Sequence, residues 1–366
     1  MAQQPLTIGG QAIIEGVMMR GPHGYAVSVR RGDGTIRTEI TPHHPLIVRR
    51  PGLNIPVLRG AVGLLEMMTI GMKSLEFSAQ EAEKDERARA EAEKAAKEGA
   101  APPDAAEPEA DKPISKLALF LTLAFSIVVG LVMFNVIPNL ATAFIAHITG
   151  TGDKVLLEEQ HPVAYNVISG VIRLFIIVGY IWAISLMSDV KRLFQYHGAE
   201  HKVVSAFEAG HELTVANAQK FTTLHPRCGT TFIALTMMVA VLVFAVFAYA
   251  LMWVWPGFAD LRFAWRKTIL ILGHIAIMPV VAGVCFEVLK LGGRYRSNLL
   301  LKLLITPGYW FQRLTTREPD DSMVEVAIRS LESALAIPAP ALAPAAVKTV
   351  ERMESRAEMP GAAAAG

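Results

Sequence analysis

Cysteine is nearly absent: Cys228 and Cys285 are the 2 in a chain of 366 residues. One falls in a polar segment and the other in an apolar run, which argues against a disulfide framework. An excess of one charge is lacking too. Lys and Arg number 35 and Asp and Glu 33, a net charge of +2, too balanced to suggest a nucleic-acid surface. The opening residues, MAQQPLTIGG, lack a basic segment followed by an apolar run and do not read as a cleaved signal peptide. No internal repeat is visible. Charged residues make up only 19%, against 52% hydrophobic and a mean hydropathy of +0.37. Soluble domains rarely reach that value, so membrane spans come before any other reading of the fold.

Four segments have the length and composition to cross a bilayer. Residues 117–137 and 232–254 carry no charge, 163–187 contain Arg173, and 269–289 contain His274 and Glu287. An ionisable group inside a span costs about 2.5–3.5 kcal/mol on insertion scales. These three residues are therefore functional candidates; the plainer readings are that Arg173 snorkels and His274 bonds a neighbouring helix. Basic residues near the spans gather on one side, among them Lys191, Arg192, Lys202, Arg227, Lys290 and Arg294. Lys154, Arg262, Arg266 and Lys267 lie on the other. The positive-inside rule then puts both termini and residues 188–231 in the cytoplasm.

The expected fold class is mainly α, a polytopic membrane protein of about four spans with a small N-terminal cytoplasmic β-hairpin unit. Residues 1–55 read as the β-rich unit, because β-formers alternate on both sides of Gly32-Asp33-Gly34. Glycines 9, 10 and 16 either bring backbone N–H groups close to an anion or partner, or simply make a tight turn. Residues 56–79 read as an interfacial amphipathic helix, and 80–116 as a solvated, charged linker. Residues 117–231 hold the first two spans and a motif helix continuous with the second, stopped by Gly210; 232–295 hold the other two spans. In 296–336 an apolar stretch broken by Pro307-Gly308 precedes a short amphipathic helix, and 337–366 form an Ala/Pro-rich tail expected to be disordered.

The chemistry concentrates in Tyr196-His197-Gly198-Ala199-Glu200-His201. This H-x-x-E-H pattern puts two imidazoles one helical turn apart, with a carboxylate on the same face. Two neutral imidazoles at i and i+4 can grip a divalent ion, zinc first, while the carboxylate acts on water bound to it. Glu208 shares that side as a further ligand candidate. His225-Pro226-Arg227-Cys228 has metal-chelate spacing, and Glu287 is a second way to complete the site. His197, His201 and Glu287 would leave a position open, with Glu200 as general base. His197, His201, His225 and Cys228 would close a tetrahedral, structural site, with Glu200 orienting the ligands. The plain alternative is two histidines making ordinary hydrogen bonds. Arg227 and Arg294 are candidates for holding an anionic substrate group, and Glu15 is a weaker site candidate.

Residues 9–20, 196–202, 225–230 and 307–319 resemble the bacterial YqhQ family, a multi-pass membrane family with a domain of unknown function. The resemblance implies a metal-dependent enzyme and supplies no substrate. Two readings follow. One is a metal-dependent hydrolase at the cytoplasmic membrane face. The other is a non-enzymatic scaffold or membrane-protein assembly factor, in which a structural metal staples cytoplasmic segments. The bilayer is the expected partner in both, with a membrane-protein partner or a homo-oligomer compatible with either. A transporter reading through Arg173, His274 and Glu287 has the weaker support, because these groups form no obvious path.

Overall fold

A computed structural model describes residues 8–98, 116–149, 162–258, 260–295 and 298–338. The chain opens with an antiparallel meander, β1 (Gly9–Ile13), β2 (Gly16–Arg20), β3 (Gly24–Arg30) and β4 (Ile36–Pro42), in sheet order β1-β2-β3-β4. Both faces of this sheet are buried, so both alternate sets of side chains are apolar. Val17, Met19, Ala26 and Ile36 belong to one core, Ile13, Met18, Tyr25, Val27 and Val29 to another.

The second of these cores is closed by helix α1 (Leu58–Glu98) through Met67, Ile70 and Phe77. The boundary expected between an interfacial helix and a charged linker therefore lies inside one 41-residue helix. Its Ala/Glu/Lys continuation has high helix propensity and is laced by i,i+4 pairs such as Glu83–Arg87 and Glu93–Lys97. It also has partners: Glu81, 3% exposed, pairs with Arg37 and Arg31, and Asp85 with Arg31. Charge complementarity with the sheet holds this part of the helix where no apolar stripe would. Residues 99–115 lie outside the described residues. On the opposite side of α1, Leu65, Met68 and Met72 stay exposed.

The first span is longer than the sequence suggests. α2 (Lys116–Leu131) passes through a π-helical turn at Val132–Val136 into α3 (Ile137–Ile148), and the stretch apolar enough to cross runs Ala124–Ile148. Pro138 falls in the first turn after the π segment, where its missing N–H costs little. The second span is α4 (Pro162–Ile184). It does not run straight into the motif helix, α5 (Ser188–Glu208): the chain breaks at 185–187, with Met187 extended at φ −71°, ψ 139°. Gly210, at φ +75°, does end α5.

The third and fourth spans are α6 (Gly229–Val254) and α7 (Phe263–Arg294). α8 (Leu299–Thr315) runs unbroken through Pro307, contrary to the expected break. Pro307 has no N–H to offer the Leu303 carbonyl, and Thr306 Oγ1 beside it donates to the Lys302 carbonyl at 2.7 Å. Gly308 meets α6 so closely that a Cβ there would lie 2.8 Å from Thr231 Cβ. α9 (Asp321–Leu335), capped by Asp320, packs Met323, Ala327 and Leu331 against the first sheet core.

The molecule is thus mainly α and polytopic, with four helices among the described residues long and apolar enough to cross a membrane. Phe125, Phe175, Trp253 and Ile275 on those helices point outward, as lipid-facing side chains do. The third span is the central one: Leu235 and Ala240 share a core with Val281, Cys285 and Leu289 of the fourth, and with Ile305 of α8.

Candidate metal centre

α5 lies between the sheet and the spans because one side of it is apolar and small. Tyr196, Ala199, Val203 and Val204 are buried against the sheet and α9. The remaining side carries His197 and His201, and it meets two other segments. One is the loop before α6, which holds His225 and Cys228. The other is the chain leaving α8, which crosses α5 where residue 198 is glycine. A Cβ at Gly198 would collide with the Arg317 carbonyl oxygen, and Arg317 N–H donates to the Phe194 carbonyl at 2.9 Å. The glycine inside H-x-x-E-H is there for that close approach.

Both imidazoles are oriented by backbone carbonyls. His197 Nδ1 lies 2.8 Å from Thr315 O, and His201 Nδ1 2.5 Å from Thr223 O. A carbonyl only accepts, so each Nδ1 carries a proton, and the neutral form of each ring presents a lone pair at Nε2. Those lone pairs converge with Cys228. His197 Nε2 is 3.2 Å from Cys228 Sγ, and one donor atom from each of His197, His201 and Cys228 lies within 4.8 Å of the others. Nitrogen–metal bonds of about 2.0–2.1 Å and sulfur–metal bonds of about 2.3 Å require ligand separations on this scale. His201 Nε2 is fully buried and has no hydrogen-bond partner among the described residues. Burial, offset in part by Cys228, also holds the His201 pKa below the usual imidazole value, which favours the neutral ring that a metal ligand needs.

Glu200 is buried beside them, its Oε2 3.6 Å from His201 Nε2 and 3.9 Å from His197 Nε2. Burial raises its pKa, opposed by His197, His225 and the backbone N–H of Gly10. That N–H reaches Glu200 because β1 runs close: a Cβ on Gly10 would lie 2.8 Å from Glu200 Cγ. Of the two sequence readings for this glycine, close backbone approach is the one seen, and the partner is a carboxylate of the same chain.

The other candidates are placed differently. His225 is buried next to His201, with ring centroids 5.7 Å apart, but its Nε2 faces Glu208 at 3.5 Å. Glu208 also pairs with Arg227. Glu287 is not brought to the histidines. It forms a bidentate pair with Arg59 of α1, with Nη2···Oε2 at 2.5 Å, because α1 rather than α5 packs against that end of α7. Glu15 sits at the β1–β2 turn in the left-handed region, φ +52°. Its carboxylate is held by Arg192 and accepts from Tyr196 Oη at 3.3 Å. The side chain of Arg294 lies outside the described residues.

The groups that support the site are less legible in the sequence. The carbonyls of Thr223 and Thr315 carry no side-chain signal at all. Gln312 does: a buried amide in an apolar helix needs partners. It accepts from His225 N at 2.9 Å and donates to His225 O at 2.8 Å and to Thr231 Oγ1 at 2.5 Å, which fixes the loop bearing Cys228.

A family model described as "Protein of unknown function (DUF1385)" matches residues 55–337, a range that contains all three donors. The chain is also similar to "Uncharacterized protein YqhQ" of Bacillus subtilis (strain 168), 34% identical over 339 residues, which are 92% of this chain and 94% of that protein. No solved structure matches.

Proposed function

The chain belongs to the family described as "Protein of unknown function (DUF1385)", and from that premise we propose that it is a membrane enzyme holding a divalent metal, zinc first, on His197, His201 and Cys228. The supporting observation is the pair of imidazoles whose Nδ1–H groups are spent on carbonyls while their bare Nε2 atoms face a cysteine. Three protein donors, two nitrogens and a sulfur, suit zinc and leave a fourth position free. An ion held there supplies Lewis acidity and lowers the pKa of bound water. Glu200 Oε2, beside both nitrogens, is placed to hold and pass a proton, and the Gly10 N–H orients it. The reaction class that uses these parts is hydrolysis of a peptide, amide or lipid headgroup at the cytoplasmic face. The cytoplasmic placement comes from the positive-inside rule, with both termini on that side of a bacterial inner membrane. Of the candidates for substrate contact, Glu15 pairs with Arg192 and Arg227 with Glu208.

The burial of the donors favours a second reading. His201 is 1% exposed and Cys228 7%. A metal there would also tie α5 to the loop before α6, with the end of α8 held to His197 through the Thr315 carbonyl, as a structural staple in a scaffold does. Two variants separate the readings. Elemental analysis of purified protein is expected to find equimolar zinc in the unmodified chain and in Glu200→Gln, and almost none in His201→Ala. Loss of function in metal-loaded Glu200→Gln supports the enzyme; retained function supports the staple. Absence of metal from the unmodified chain overturns both.

A further inference from the structure

The centre of α4 holds a cation that nothing described in the chain neutralises. Arg173 is 11 residues from Pro162 and 11 from Ile184, about 16 Å from either end at 1.5 Å per residue. That is mid-membrane, where an ionisable side chain is costly unless partnered. Its Nε is buried without a hydrogen bond, and among the described residues no carboxylate pairs with the guanidinium. Ser169, one turn away, has a buried hydroxyl that is likewise without a partner among the described residues.

Arg173 is also not simply reaching for water along the helix surface. It lines a cleft of about 170 Å³ between α4 and α6, with Asn166 and Gly170 on one wall and Met237, Val241 and Phe244 on the other. That is slightly more than the roughly 150 Å³ cavity that admits benzene. It accommodates part of a lipid, not all of it. Asn166 lies two turns toward the N-terminal end of α4, the direction in which helical side chains lean. The donors therefore face the leaflet on the Pro162 side, remote from the metal centre.

We propose that this cleft binds an anionic phospholipid of that leaflet, its phosphate drawn down to Arg173 and one acyl chain lying along Met237, Val241 and Phe244. Charge selects the anion: a guanidinium offers five donors in a planar fork suited to phosphate oxygens. The apolar wall selects an amphiphile over a free ion. Local thinning of the bilayer around an intramembrane arginine shortens the descent. The site is separate from the His/Cys donors, so it stands whether or not those bind metal.

The test uses the full purified chain in mixed micelles with equimolar phosphatidylglycerol and phosphatidylcholine, read by native mass spectrometry. The unmodified chain is expected to retain phosphatidylglycerol with about a tenfold or greater preference, the factor a charge-assisted hydrogen bond of about 1.5 kcal/mol gives. Arg173→Gln should bring the preference to parity. Ile177→Trp, which fills the cleft and keeps the charge, should remove retention. Thermal unfolding checks that both variants are folded. If either is not, Arg173→Lys must keep the preference and a neutral lipid must fail to compete. Equal retention of both lipids by the unmodified chain, or an unchanged preference in folded Arg173→Gln, overturns the proposal. So does a carboxylate-bearing helix of a partner protein cross-linked to this face with no lipid retained.

Discussion

At the level of single residues, the strongest constraint on the candidate centre is Gly198. Any side chain there meets the Arg317 carbonyl, and backbone cannot swing away as a flexible side chain can. Gly198→Ala is expected to cost about 1–3 kcal/mol, the usual range for overpacking, and to lower zinc content by displacing the Thr315 carbonyl from His197. Thermal unfolding and elemental analysis of that variant check both effects. Glu66 offers a pH test away from the centre. Burial pushes its pKa up, but His43, the Leu46 N–H and Arg20 more than reverse this, leaving it below the ordinary value. A carboxylate with a depressed folded pKa stabilises above its unfolded pKa of about 4.3, and that contribution is lost as pH falls through the folded value. Glu66→Gln should therefore destabilise the chain near neutral pH and converge with the unmodified chain only in acid, once the pH falls below the depressed folded pKa. Denaturation midpoints across that range would show it, and a gap that persists in acid would count against the assignment.

At the level of elements, the site depends on one helix crossing and one buried amide. The Gly308–Thr231 approach sets α8 against α6, and this places Gln312 one turn further on, beside the His225 loop. Gln312→Leu would leave the N–H of His225 without its partner, at about 1–3 kcal/mol for an unsatisfied group, while the His225 carbonyl would keep only the Cys228 N–H at 3.4 Å. The expected outcome is a looser 222–228 loop, seen as faster hydrogen exchange, together with weaker zinc retention against a chelator. Slow exchange in this variant would show that the loop is held by something other than the amide. The break between α4 and α5 is equally consequential. A helix running straight from the second span would have turned its histidines by whatever the membrane packing dictated. The extended Met187 lets α5 follow the sheet instead.

Across the whole molecule, the sheet, α1, α5 and α9 form one body from segments as distant in sequence as Gly9 and Leu335, joined for instance by Ser330 Oγ on the Val17 and Ala26 carbonyls. The proposed orientation makes a plain prediction. A cysteine at Asp260, between the third and fourth spans, should react with a membrane-impermeant maleimide in intact cells, and one at Glu212 only after lysis. The reverse pattern would invert the topology. Hydropathy made the spans legible, because an apolar run of membrane length with at most one or two ionisable residues seldom occurs outside a bilayer. Local pattern likewise revealed the hairpin around Gly32-Asp33-Gly34, the stop at Gly210 and the amphipathic α9. The i,i+4 spacing put His197 and His201 on one face and left Cys228 among their candidate partners. What the sequence could not decide was which distant group comes to meet them. By residue type and spacing, Glu287 and Cys228 were equally able to complete the site. Packing sent Glu287 to Arg59 and brought Cys228 to the imidazoles. The carbonyls that fix both tautomers belong to the backbone, which is the same at every residue, so only the tertiary fold could single out Thr223 and Thr315.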